Sequence, residues 1–218
     1  MKIAIDGPAG AGKSTLAKEL AKKLGFIYID TGAMYRALTW KVIKEKIDIN
    51  NEIAICELAQ KTKIHFQLNS HMQKIICDNE DITKQIRSPE ISALVSRIAA
   101  FPSVRQIMVH QQQELGKAGN VVMDGRDIGE IVLPDADFKF FINADIDERI
   151  RRRVEEFKNE GFDVSLESIK NDLENRDLTD SQRTIGALKI LDESIVIDTT
   201  SLTIKAVLDK ILAIIQEE

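Results

Sequence analysis

Apolar and polar positions along this chain change period several times, and each period predicts an element. Residues 2–6 (KIAID) form a short apolar run ending at a glycine, which predicts a strand buried on both faces. After Gly12 the period lengthens. Leu16, Leu20 and Leu24 recur every fourth residue with Ala17 and Ala21 beside them, one stripe of a helix that Gly25 stops. FIYID at 26–30 predicts a second strand. Residues 33–46, with Met34, Leu38 and Val42 on one face, predict a helix, and 52–61 another. From 63 to 69 apolar and polar residues alternate, and shorter pieces of the same kind follow around 74–77 and 81–83. Asn69-Ser70-His71 and Asp78-Asn79 part them, which predicts a small antiparallel sheet set into a βα pattern. Helical spacing returns at 89–118, interrupted by Pro102. NVVMD (120–124), FKFFI (138–142) and SIVID (194–198) complete the strands, with helices over 147–160, 165–176 and 203–216. Strands alternating with helices at this spacing predict an α/β fold, a five-stranded parallel sheet covered by helices on both faces.

Composition narrows the class. A chain of 218 residues that is 44% hydrophobic can bury a core large enough to offset its entropy, so disorder is excluded and one domain spanning 1–218 is expected. Two cysteines make no disulfide framework, and Asp6 interrupts any apolar leader; a cytoplasmic protein is expected. No apolar run nears the roughly 18 residues that a membrane span needs. The net charge of −5 argues against a partner that is a nucleic-acid polymer. Against this acidic background, Arg149, Arg151, Arg152 and Arg153 crowd one short stretch. Such runs are ordinarily solvated helix faces; the sharper alternative is a clamp on a small polyanion.

Gly7-Pro8-Ala9-Gly10-Ala11-Gly12-Lys13-Ser14, followed by Thr15, decides between them. It fits G-x-x-x-x-G-K-[ST], with a buried strand before it and an amphipathic helix after it. Glycines let backbone N–H groups curl around an anion, and the helix N-terminus adds positive potential. Lys13 can reach the terminal phosphates of a nucleotide, and Ser14 can ligate Mg²⁺. Asp124, closing an apolar strand, suits a second metal-holding carboxylate, although acidic residues there also cap helices. A GTPase would need N-K-x-D and D-x-x-G motifs, and neither is present. The arginine run then favours phosphoryl transfer between small substrates, where fixed guanidinium groups stabilise the transferring charge. Arg149, Arg152 and Arg153 share a helix face at i, i+3 and i+4, while Arg151 points elsewhere.

The residues IDGPAGAGKST (5–15), DTGAMYRAL (30–38), AAFPSVR (99–105), DGRDIG (124–129), LPDADFKFFI (133–142), ERIRRR (148–153) and the segment from Arg176 to Arg183 resemble the bacterial cytidylate kinases, within the nucleoside monophosphate kinases. The resemblance covers essentially the whole chain. It implies a P-loop kinase fold with a core at 1–30, 106–145 and 184–218, a monophosphate-binding region at 31–105 carrying the β insertion (about 63–87), and a helical lid at about 146–165. It implies ATP as phosphate donor, Mg²⁺, and CMP and dCMP as acceptors in a monomer. Residues matching Thr31, Arg36 and Arg126 surround the acceptor monophosphate in that family. Ser96, Arg105 and Asp127 match those that read cytosine, Arg176 and Asp180 those on the sugar side, and Arg183 joins the anionic site. Arg149 and Arg153, with Arg152, match the lid. Glu130 departs from the pattern, which has a small or hydroxyl residue there.

The chemistry of the bases agrees with part of this. Cytosine offers an amino donor at N4 and acceptors at N3 and O2, which a carboxylate and a guanidinium complement. His65, His71 and His110 lack metal-ligand spacing, Cys56 and Cys77 form no C-x-x-C, and Trp40 and Phe101 read as packing residues. Two other functions compete: kinase of another small acceptor (UMP, AMP or shikimate), and a regulatory nucleotide-binding module without turnover.

Overall fold

The computed structural model describes residues 1–68 and 73–217. Two compact units emerge, one combining Met1–Asp30 with Gln113–Glu218, the other comprising Thr31–Gln112.

The first unit is built on a five-stranded sheet of β1 (Lys2–Asp6), β2 (Ile27–Asp30), β6 (Val121–Gly125), β7 (Phe138–Asn143) and β8 (Ile195–Asp198), in the order β2-β6-β1-β7-β8. All four pairings are parallel. Ile3, Ala4 and Ile5 of the central strand have no exposed surface, so both of its faces are covered, as its unbroken apolar run requires. On one face Ile3, Ile5, Val122, Phe140 and Ile197 meet Leu16 and Leu20 of α1 (Lys13–Leu24) and Val207 and Ile211 of α8 (Ile204–Gln216). The opposite face lies under the last turn of α5 (Pro102–Gly116): a Cβ on Gly116 would stand 3.2 Å from Met123 Cε. Gly25 ends α1 at φ 71°, its N–H bonded to Ala21 O, as the sequence predicts for a glycine stop.

Helices α6 (Ile146–Asn159) and α7 (Leu166–Ser181) pack through Ile150, Phe157, Ile169 and Leu173. Helix α7 continues past the predicted end at 176. Between β6 and β7 a five-residue π-helical turn, Ile128–Val132, stands where the sequence predicts no element.

In the second unit, α2 (Thr31–Lys44), α3 (Glu52–Lys61) and α4 (Pro89–Ala100) accompany a three-stranded antiparallel sheet, β3 (Ile64–Leu68), β4 (Gln73–Cys77) and β5 (Glu80–Asp81). This is the predicted insertion. Asp78 and Asn79 form its two-residue hairpin at φ 47° and 72°, a conformation these two residue types tolerate. The predicted turn at Asn69-Ser70-His71 lies outside the described residues, and so does His71. Phe101 takes ψ 120° before Pro102, which divides the long helical stretch into α4 and α5. Trp40 packs beside Ala37, Ile75 and Ile82, as expected of a core residue.

Candidate active site

The glycine-rich loop forms because β1 ends against β7. Gly7 has φ 146°, and a Cβ there would lie 2.0 Å from Ile142 O, so no side chain fits. Gly12, at φ 89°, caps α1 without any side-chain hydrogen bond. The N–H groups of the first turn therefore face the loop with no capping side chain, as an anion site requires.

Lys13 follows at once, 5% exposed, its Nζ donating to Pro8 O at 2.7 Å. Burial, reinforced by the Arg126 guanidinium, pulls its pKa from 10.5 down to about 7. Unfolded chain holds that proton up to about 10.5, so between pH 7 and 10 the unfolded state binds more protons and folding gains stability as pH rises. We expect ligand-free wild type to gain stability relative to Lys13→Met over this range. Urea unfolding of both proteins at intervals of pH checks it; parallel curves would show that Lys13 stays charged when buried.

Two carboxylates stand beside this lysine. Asp124, at the end of β6, accepts from Ser14 Oγ through Oδ2 (2.7 Å) and from Tyr28 OH through Oδ1 (2.9 Å). Burial and the neighbouring Asp30 push its pKa up to about 6. Asp6 closes β1, and its two oxygens accept from Ile128 N and Gly129 N at 2.8 Å each. Burial raises it also to about 6, against the pull of those backbone donors. Asp6 thus fixes the start of the π-helical turn, of which Asp127 is the cap residue.

The arginines divide by what they hold. Arg149, 7% exposed, donates through Nε to Ala144 O (3.0 Å) and through Nη1 to Ala9 O (3.1 Å), and pairs with Asp177 at 2.7 Å. Arg152 donates to Ala11 O (3.2 Å) and Thr199 O (2.7 Å) and pairs with Glu148 (2.8 Å). Arg153 pairs with Glu156 at 2.6 Å, and its guanidinium lies 4.2 Å from the centre of the Phe157 ring. Arg151 faces solvent between Glu148 and Glu155. On the other side of the loop, Asp180 accepts from Arg126 Nε at 2.6 Å and also pairs with Arg183. Burial alone would raise Asp180, but Arg126, Arg183 and Arg176 outweigh it and hold its carboxyl below the usual range. Arg176, pushed down to about 10 by burial and by Arg126, keeps a buried Nε with no hydrogen bond among the described residues.

All the residues matching the loop, metal and lid positions fall in the first unit, together with Arg126, Asp127, Arg176, Asp180 and Arg183. Thr31, Arg36, Ser96 and Arg105 fall in the second. Thr31, Ser96 and Arg105 are buried, and Arg105 lies 5.7 Å from the centre of the Tyr35 ring. Glu130, the departure from the family pattern, pairs with Lys189 at 2.7 Å near the surface. Sequence reading misses Asp6, Tyr28 and Asp177. Their partners lie 122, 96 and 28 residues away, and only Asp6, a charge closing an apolar strand, carries any local signal.

Ser14 and Asp124 suit Mg²⁺: two hard oxygens 2.7 Å apart, one a carboxylate short of countercharge. Among the described residues no cluster of three or more His, Cys, Asp or Glu groups could hold a metal. Two protein oxygens fit an ion that keeps several waters and binds substrate phosphate.

A parallel sheet, an uncapped helix behind a glycine-rich loop, a buried lysine and converging arginines define a P-loop kinase. The fold agrees with two solved structures, where 100% and 99% of this chain align. One is an uncharacterized protein from Eubacterium ventriosum (TM-score 0.52, 16% identical, 99% of that chain), the other a shikimate kinase from Bacteroides thetaiotaomicron (TM-score 0.50, 14% identical, 98% of that chain). At these identities the likeness concerns fold alone. Sequence likeness goes further. The cytidylate kinase profile matches residues 3–217. A cytidylate kinase from Caldanaerobacter subterraneus subsp. tengcongensis is 49% identical over 217 residues (100% of this chain, 95% of the relative). One from Bacillus cereus is 48% identical over 215 residues (99% and 96%). The chain belongs to the cytidylate kinase family.

Proposed function

We propose a division of labour among the residues above for the reaction of this family, ATP-dependent phosphorylation of CMP and dCMP to their diphosphates. The observation that carries it is the loop from Gly7 to Ser14, with Lys13 buried at its end and Ser14 bonded to Asp124. The loop N–H groups between Gly7 and Thr15, Pro8 having none, hold the triphosphate of ATP. Lys13 moves its proton-bearing Nζ from Pro8 O to the terminal phosphates, where the anion restores the charge that burial opposes. Ser14 and Asp124 hold Mg²⁺, which when bound neutralises phosphate charge and orients the triphosphate.

Arg126, Arg149 and Arg153 stabilise charge on the transferring group, and Arg152 keeps the middle of α6 joined to the loop through Ala11 O and Thr199. No protein base is required, because the acceptor phosphate oxygen is already ionised at neutral pH. Thr31, Arg36 and Arg126 hold the acceptor phosphate, Ser96, Arg105 and Asp127 the cytosine, and Arg176 and Asp180 the sugar side, with Arg183 completing the anionic set. The unfilled buried Nε of Arg176 supports a polar ligand there. Among the described residues no helix is long and apolar enough to cross a membrane. A cytoplasmic monomer completes the proposal, and the two free cysteines fit a reducing compartment.

ADP release, followed by a coupled assay with ATP and Mg²⁺, tests this reading across CMP, dCMP, UMP, AMP and shikimate. Release that depends on CMP or dCMP supports it; release with UMP or shikimate alone overturns the acceptor assignment. Absence of any turnover would leave a regulatory module.

Replacing Arg149 and Arg153 together by Met is expected to lower kcat more than it raises KM for CMP, since charge develops on the transferring group only in the transition state. Steady-state kinetics beside circular dichroism read it. Lost CMP affinity at unchanged kcat would move the pair to the acceptor, and no change would leave Arg149 a structural tie to the loop and Arg153 a partner of Glu156.

A further inference from the structure

Tyr28 belongs neither to the glycine-rich motif nor to the arginine run, yet its hydroxyl ends on the carboxylate assigned to Mg²⁺. Strands β2 and β6 run parallel with Tyr28 level with Val122, and Asp124 lies two residues further on. Two strand residues advance about 6.6 Å and return the side chain to the same face. That is about the reach of a tyrosine from backbone to hydroxyl. The ring packs against the cluster that contains Val122 and Leu16. The hydroxyl, carried forward along β6, donates to Asp124 Oδ1 at 2.9 Å, while Ser14 Oγ donates to Oδ2 at 2.7 Å.

A carboxylate tied at one oxygen still turns about its side-chain torsions; tied at both, it keeps one orientation. Of the ties on this carboxylate, one comes from a ring packed against the core and another from the first turn of α1. We propose that Tyr28 is a positioning residue for the divalent cation: by holding Asp124 Oδ1 it keeps Oδ2 and Ser14 Oγ together as the pair that receives Mg²⁺. This rests on reading Ser14 and Asp124 as the metal-holding residues. In this role the hydroxyl acts through Asp124, and through the Ser14 side chain that it also meets, as partners behind a metal ligand do.

Tyr28→Phe keeps the ring and removes one oxygen. The free Mg²⁺ concentration giving half-maximal rate, at saturating ATP and CMP, is expected to rise by about 10-fold, the low end for loss of such a partner. The rate at saturating Mg²⁺ is expected to stay near wild type. A binding readout accompanies it. ADP in EDTA should raise Tm equally in both proteins, whereas the further rise on adding Mg²⁺ should shrink in the variant. Tyr28→Leu, lacking ring and hydroxyl, should show the same Mg²⁺ deficit on top of a lower ligand-free Tm. Wild-type Mg²⁺ dependence in either variant overturns the proposal, as does a Tm loss identical in EDTA and Mg²⁺, which would leave the hydroxyl a folding role alone. Asp124→Asn identifies which assumption failed. If it too keeps wild-type Mg²⁺ dependence, the metal assignment falls and the proposal with it; if it alone needs more Mg²⁺ than wild type, only the part given to Tyr28 falls.

Discussion

CMP and dCMP are expected to exceed UMP in kcat/KM by up to ~10⁴-fold, the scale reached by sites that hydrogen-bond the group distinguishing two substrates. Cytosine presents an N4 amino donor and an N3 acceptor; uracil presents O4 and N3–H in the same places. In the cytosine-reading role proposed for them, Asp127 (6% exposed) and Arg105 (1% exposed) could not trade a lost partner for water at little cost. A carboxylate set against O4 is repelled, and a guanidinium set against N3–H loses its acceptor. Asp127→Asn is expected to blunt the preference, because an amide can turn its NH₂ toward O4. Asp127→Ala is expected to weaken every pyrimidine. Measuring kcat/KM for CMP, dCMP and UMP in the three proteins decides the matter. Comparable CMP and UMP values in wild type would point to a broader pyrimidine kinase, and unchanged selectivity in Asp127→Asn would move base recognition to other residues.

Lys13→Ala is expected to cut kcat by ~10²-fold or more while leaving the circular dichroism spectrum unchanged, the scale seen when one fixed transition-state donor is removed. Both halves follow from the same burial. The ammonium sits beside the Arg126 guanidinium in a dry place, so its removal relieves a cost to the ligand-free fold. With phosphates present, that dryness makes the lost attraction large, since water screens little there. Full activity in Lys13→Ala would take the glycine-rich loop out of the mechanism.

Much of this molecule is legible in its pattern of apolar residues, for physical reasons that differ by element. KIAID reads as a strand because a central parallel strand must be apolar on both faces, and Ile3, Ala4 and Ile5 are indeed all covered. The hairpin at Asp78-Asn79 is readable because few residue types accept positive φ. The π-helical turn at Ile128–Val132 is not, since IGEIV alone has no helical period; Asp6, far away in sequence, grips its first N–H groups. The end of α7 is equally hidden, because RDLTD is polar and its Asp180 is held by Arg126 and Arg183 instead of by apolar packing. In the site, Lys13, Ser14 and Asp124 come from motif and context. Tyr28 and Asp177 become visible only once folding brings Asp124 and Arg149 to them.

Along the glycine-rich loop, four carbonyl oxygens are engaged by named donors. Pro8 O takes Lys13, Ala9 O takes Arg149, Ala11 O takes Arg152 and the Thr199 hydroxyl, and Gly12 O takes the N–H of Leu16. Each peptide unit is a dipole, and a loop of freely tumbling dipoles would greet an incoming anion with oxygens as often as with hydrogens. Here four negative ends are pinned, three by side-chain cations (Ala11 O also by a hydroxyl) and one by a helix N–H, which orients those peptide units with their N–H ends toward the ligand side. A loop so oriented need not reorganise when a triphosphate arrives. Of its fasteners the flexible lysine must let go, and Arg149 must free a donor for the transferring group in the role proposed for it, while Arg152 can keep its carbonyl through every turnover.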